Sequence, residues 1–158
     1  MGLGVDRDLD LTVGEVGNKT RWEVALTRDI DGYSIGPHAD GKRKWITSIY
    51  YLAKQGDGNE ASGTYVLEKS PESGAPADGT VGWEGYTVSE RVKFVPNSAF
   101  VFAPCASAWH AVPEVPLTGS TVRDTLQAFI KSRAGFDTGL GECPTTASRV
   151  SQWSSLSV

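Results

Sequence analysis

The chain has two histidines, His38 and His110. The first stands in His38-Ala39-Asp40. In an extended segment residues i and i+2 point to the same face, so one imidazole and one carboxylate converge. A second imidazole delivered by a distant strand would complete two nitrogen donors and one oxygen donor on one side of a metal ion. That donor set leaves coordination positions open and suits a non-haem Fe(II) centre that must also admit other ligands. Taken alone, the two histidines have a simpler reading, in which His-x-Asp occurs by chance and each ring fills a hydrogen bond.

Arg123-Asp124-Thr125 follows on the C-terminal side of His110. On an extended strand Arg123, Thr125, Gln127 and Phe129 share one face, which sets a guanidinium beside apolar neighbours. A buried guanidinium demands a partner, and its planar fork matches a carboxylate bidentately. No acidic residue on the same face offers itself, so a ligand carboxylate is a plausible partner. On this residue alone a surface salt bridge is the commoner case.

The segments that must position these residues read as strands. Trp22, Val24 and Leu26 alternate with Glu23, Ala25 and Thr27, a period of two. Asp31-Gly32 is a hairpin-type turn, Tyr33 to His38 is extended, and Lys44 to Ala53 is rich in β-branched and aromatic residues. A polar loop over 54–62 leads to a short strand from Gly63 to Glu68. A Gly- and Pro-rich excursion over 69–85 has the length of a functional lid. Tyr86 to Val95, the Phe100–Phe102 alternation, Ala108 to Val112 and Thr121 to Lys131 complete a set of about eight strands, with turn signals every 8–12 residues. This spacing predicts an all-β sandwich or jelly roll with few or no helices.

At 158 residues and 16.9 kDa the chain has room for one domain. The expected boundaries are a polar N-terminal segment over 1–20, the β domain over 21–132, and a loosely ordered Ser-, Thr- and Gly-rich tail over 133–158. A hydrophobic share of 39% with 22% charged residues places it among globular chains. A net charge of −4 and a pI near 5.1 provide no basic footprint, which disfavours nucleic acid as a partner. The longest uncharged stretch, Phe94 to Pro113, is interrupted by prolines and polar residues and makes a poor membrane span. The first 20 residues carry many charges and no apolar core, so no secretory signal is read there. Cys105 and Cys143 lack metal-ligand spacing. A reduced, cytoplasmic chain is expected, with a Cys105–Cys143 disulfide as the less favoured alternative.

Tyr33-Ser-Ile-Gly-Pro-His38-Ala-Asp40, Ile46-Thr-Ser-Ile-Tyr-Tyr-Leu52, Gly63-Thr64, Pro96-Asn97-Ser98-Ala99-Phe100-Val101-Phe102, Trp109-His110 and Arg123-Asp124-Thr125-Leu126 occur in that order. Together, over residues 21–132, they resemble the Fe(II)- and 2-oxoglutarate-dependent dioxygenase superfamily, in the branch of prolyl-hydroxylase-like enzymes. The resemblance implies a double-stranded β-helix, or jelly roll. It implies His38, Asp40 and His110 as iron ligands, and Arg123 as the partner of the far carboxylate of 2-oxoglutarate. It also implies that Thr125 and Tyr51 add hydroxyls to that carboxylate and that Tyr33 lines the cosubstrate pocket. Tyr51 shares its strand face with Thr47 and Ile49. The implied cofactors are Fe(II), 2-oxoglutarate and dioxygen, with ascorbate as a candidate auxiliary reductant. The implied reaction is hydroxylation of a small molecule or a side chain, because Asp40 stands where related halogenases carry a small residue. Phe129 is a candidate wall of the cosubstrate pocket, and Lys42, Arg43 and Lys44 flank the metal motif and read as a solvated loop, with contact to an anionic substrate as the alternative.

The family usually places helices ahead of the first barrel strand, packed on the outside of one sheet. Only about 20 polar residues precede Arg21, yet Ile46, Tyr50, Leu52, Val122, Leu126, Ala128 and Ile130 fall on outward positions. An apolar patch of this kind marks an interface, with a second subunit or a missing N-terminal helical part as the expected cover. Two other functions remain open on the residues alone. One is a cupin-like metal-binding jelly roll that does not use 2-oxoglutarate, and the other is a non-catalytic binding module.

Overall fold

β-Branched and aromatic side chains fill the central segments and form strands because they pack well on a pleated, half-buried surface. The computed structural model describes residues 6–11, 15–16, 20–56, 60–70, 83–116 and 122–133. Ten strands follow in chain order: β1 (Asp6–Leu11), β2 (Glu15–Val16), β3 (Thr20–Asp29), β4 (Ile35–His38), β5 (Lys44–Tyr51), β6 (Thr64–Lys69), β7 (Tyr86–Val92), β8 (Ser98–Phe102), β9 (His110–Val112) and β10 (Arg123–Ser132). Among the described residues the sole helical element is a 3-10 turn, Glu60–Ser62.

The large sheet has the order β1-β3-β10-β5-β8, with β2 also on β3, and the smaller sheet has the order β4-β9-β6-β7. The antiparallel pairs β3·β10, β4·β9, β5·β8 and β6·β7 nest inside one another along the chain. They form one long hairpin, closed at β6–β7 and rolled so that its successive stretches alternate between two sheets. This is a jelly roll, the fold class expected from the strand spacing. β1 and β2, both within the first 20 residues, extend the large sheet beyond β3. The expected lid lies mostly, and the expected C-terminal tail almost entirely, outside the described residues.

Register converts the sheet into rows. Leu26, Leu126, Tyr50 and Ala99 lie side by side on the outer face, and Thr27, Thr125, Tyr51 and Ser98 on the inner one. Inside, Ile49, Tyr51, Phe94, Phe100 and Phe102 form the core, joined by Ala53, Val66, Val92 and Ala108. Outside, Leu26, Ile46, Tyr50, Leu52, Val101 and Val122 are exposed, while Leu126, Ala128 and Ile130 are half-buried.

Two local features hold the ends of the roll. Gly32 takes φ 77° in the Asp31-Gly32 turn, a left-handed conformation open to glycine without steric cost. Gly63 is pressed against the chain that leaves β7: a Cβ there would lie 1.8 Å from the Val92 carbonyl oxygen and 2.9 Å from the Phe94 amide nitrogen. Cys105 is disulfide-bonded, which departs from the reduced state expected. Pairing depends on the approach of two Cα atoms, and neither cysteine spacing nor compartment arguments report that distance. Cys143 lies outside the described residues. No helix among the described residues is long and apolar enough to cross a membrane.

Candidate active site

His38 ends β4 and His110 begins β9, and the two are direct cross-strand partners. Residues directly opposite on antiparallel strands project from the same face, and the two rings stand 4.2 Å apart between centroids. Asp40 follows two residues beyond His38. The potential ligand atoms of His38, Asp40 and His110 all lie within 4.8 Å of one another.

Both imidazoles are oriented in the same way. Nδ1 of His38 lies 3.0 Å from the Gly36 carbonyl oxygen, and Nδ1 of His110 lies 3.0 Å from the Ala108 carbonyl oxygen. A carbonyl only accepts, so each Nδ1 carries a hydrogen, and in the neutral ring Nε2 is the nitrogen that keeps a free lone pair. This arrangement fixes the tautomer of a ligating histidine. His110 is buried, and burial first, then the neighbouring His38, pushes its pKa down to about 4. The ring is therefore neutral at neutral pH, as a metal ligand must be.

Asp40 is held from two sides. Its Oδ1 accepts from Lys44 Nζ at 2.6 Å and its Oδ2 accepts from Thr47 Oγ1 at 2.6 Å. Burial alone would raise this carboxyl, but the charge of Lys44, its hydrogen bond, the Thr47 hydroxyl and His110 outweigh burial and hold it below the ordinary value. Lys44 also lies over the Phe129 ring, 4.3 Å from its centroid. The lysine expected in a solvated loop is thus part of the site, and Phe129 backs the metal-site end of the roll. The Phe102 ring packs 4.8 Å from His110.

Thr47 and Tyr51 share the inner face of β5 four residues apart, roughly 13 Å along the strand at the usual rise. Around Tyr51 lies the second cluster. Thr125 is its register partner on β10, and Arg123 follows two positions along that face. Arg123 is 1% exposed. Its Nη1 donates to Asp29 Oδ2 at 2.6 Å and its Nε donates to the Ser62 carbonyl oxygen at 2.6 Å. Nη2 is buried without a hydrogen-bond partner among the described residues. The guanidinium carbon lies 5.6 Å from the centre of the Tyr51 ring.

This corrects one inference from sequence. Arg123 does have an acidic partner on its face, because Asp29 stands opposite it in the β3–β10 register. Burial pushes the Asp29 carboxyl upward, with the charge and hydrogen bond of Arg123 opposing. The strand pattern read from Trp22 to Thr27 stopped short of Asp29. One more step along the Thr27 face reaches it.

The hydroxyls expected to meet a ligand carboxylate are engaged within the protein. Tyr51 donates to Thr64 Oγ1 at 2.7 Å, and Thr125 Oγ1 and Thr27 Oγ1 are 2.6 Å apart. Burial raises the Tyr51 hydroxyl pKa, so it stays a neutral donor. Tyr33 lies in the β3–β4 connection, half-buried, its amide donating to the Ile30 carbonyl and its carbonyl accepting from the Val115 amide. The structure therefore brings Arg123, Thr125 and Tyr51 together.

No protein-family model matches the chain, and no curated protein matches it. Among solved structures the chain is similar to a prolyl-4-hydroxylase from Pseudomonas putida, at 17% identity and a TM-score of 0.42. The match covers 70% of this chain and 49% of that one, so the chain spans about half the length of that protein.

Proposed function

We propose that the protein is a non-haem Fe(II) dioxygenase that couples oxidative decarboxylation of 2-oxoglutarate to hydroxylation of an organic substrate. The observation that carries this reading is the convergence of two pre-oriented imidazoles and one carboxylate on one face of a jelly roll. Ferrous iron, bound by His38, Asp40 and His110 with 2-oxoglutarate beside it, supplies the oxygen-activating chemistry.

The residues of the chain have distinct tasks in this reading. Gly36 and Ala108 carbonyls hold the histidines in the tautomer that presents Nε2. Thr47 orients the Asp40 carboxylate, and Lys44 balances its charge until a cation arrives. Phe102 and Phe129 keep apolar surface against the site and limit water. At the other end, the free Nη2 of Arg123 is an orphaned buried donor suited to the far carboxylate of the keto acid. The same Asp40 that completes the donor set favours hydroxylation over halogenation.

One observation favours a second reading. Asp29 already neutralises Arg123, which a metal-binding jelly roll without 2-oxoglutarate would tolerate. The two readings separate on one assay. Incubation with Fe(II), oxygen and 2-oxoglutarate releases succinate if the first holds, and Asp40→Ala does not. Absence of succinate across a broad panel of metabolite, amino-acid and peptide substrates would favour the second.

A further inference from the structure

Ser62 ends the 3-10 turn, is 1% exposed, and its Oγ is buried without a hydrogen-bond partner among the described residues. Its own carbonyl oxygen receives Arg123 Nε at 2.6 Å. Two orphaned polar groups, a hydroxyl and the Nη2 of a guanidinium, are therefore carried by residues bonded to each other. The next residue, Gly63, is clamped against the Val92 and Phe94 backbone, and the Phe94 amide donates to the Glu60 carbonyl at 2.9 Å. The turn that carries Ser62 is thus fixed from both sides.

We propose that Ser62 is a cosubstrate-binding residue, its hydroxyl joining Arg123 Nη2 to hold one terminal carboxylate of a 2-oxo diacid, with Asp29 as the positioning residue that fixes the guanidinium. The inference rests on the reading of the site as 2-oxoglutarate-dependent, and adds a contact to it. Three features support the assignment. Asp29 and Ser62 occupy Nη1 and Nε, so Arg123 offers the ligand a single nitrogen. The hydroxyls of Tyr51 and Thr125 are already bonded within the protein. A carboxylate is acceptor-only, with about four lone-pair sites, and can satisfy both orphans at once.

The test is anaerobic calorimetry on the full chain loaded with Mn(II). The two probes are 2-oxoglutarate and 2-oxopentanoate, which keeps the keto acid end and lacks the far carboxylate. In Ser62→Ala the Kd for 2-oxoglutarate is expected to rise about tenfold, the scale of one hydrogen bond to a charged group, while that for 2-oxopentanoate stays unchanged. Ser62→Cys, which keeps the shape with a weak donor, is expected to show the same contrast more mildly, and serves if the alanine variant does not fold. Equal weakening of both acids would mark a merely structural serine and overturn the proposal. So would unchanged 2-oxoglutarate binding, the sign that the hydroxyl meets only water. In that last case wild-type binding leaves the 2-oxoglutarate reading standing. A wild-type protein that takes Mn(II) but neither acid overturns both.

Discussion

Asp29 and Arg123 face each other at one end of the β3–β10 pair, and their side chains meet at 2.6 Å with both residues almost wholly buried. Removing one partner of such a pair leaves an uncompensated buried charge. Arg123→Met is expected to destabilise the fold by about 3–5 kcal/mol in urea unfolding. The double variant with Asp29→Leu is expected to regain most of that loss. A single-variant cost under about 1 kcal/mol, the range of exposed pairs, would contradict the buried pair.

That pair also shows where sequence reasoning reached its limit. The convergence of His38 and Asp40 was legible because the i, i+2 rule is local, whereas His110 joins them through strand register and was implied by the family resemblance. The inward face of β5 was legible by the same local rule, and Thr47, Ile49 and Tyr51 are all buried. Asp29 was not, because its role comes from register with a strand more than ninety residues away. Lys44 opens a strand by pattern and counts as a solvated charge by type, and its reach to Asp40 depends on the fold of the 40–44 turn. Ser62 lies in a segment whose composition reads as polar loop, and its burial comes from the tertiary placement of the 3-10 turn.

Protonation of His110 links stability to pH. The folded ring titrates near 4 and the unfolded one near 6.5, so between these values the unfolded chain binds the extra proton. Metal-free stability is therefore complete above pH 6.5 and falls by up to ~1.4 kcal/mol per pH unit as pH drops toward 4. Asp29, whose carboxyl is raised, acts in the opposite sense. The measurement is the difference between wild type and His110→Asn at each pH, in which the Asp29 contribution cancels. A difference that does not change between pH 6.5 and 4 would contradict a buried neutral ring.

Lys44 and an incoming cation compete for Asp40. With Lys44 Nζ 2.6 Å from Oδ1, Lys44→Met removes a positive charge from beside the metal position while keeping a flexible apolar stem near Phe129. Mn(II) is expected to bind several-fold more tightly, because like charges a few ångströms apart repel. Weaker binding would instead make the lysine a support for Asp40 that Thr47 cannot replace.

Gly63→Ala forces a Cβ into backbone atoms that cannot rotate away. The substitution is expected to cost 1–3 kcal/mol or more and to lower 2-oxoglutarate affinity with it, since Ser62 moves with its neighbour. Calorimetry and urea unfolding on the same sample check both. A stable variant with wild-type affinity would contradict the close approach.

The central claim is that ferrous iron and a chelating keto acid meet at His38, Asp40 and His110. It is tested most directly by visible absorption of the protein under nitrogen, titrated with Fe(II) and then with 2-oxoglutarate. The account predicts a weak charge-transfer band that needs both additions and is lost in His110→Ala and Asp40→Ala. A solution that stays colourless with both additions, or a band that survives these two substitutions, would contradict it.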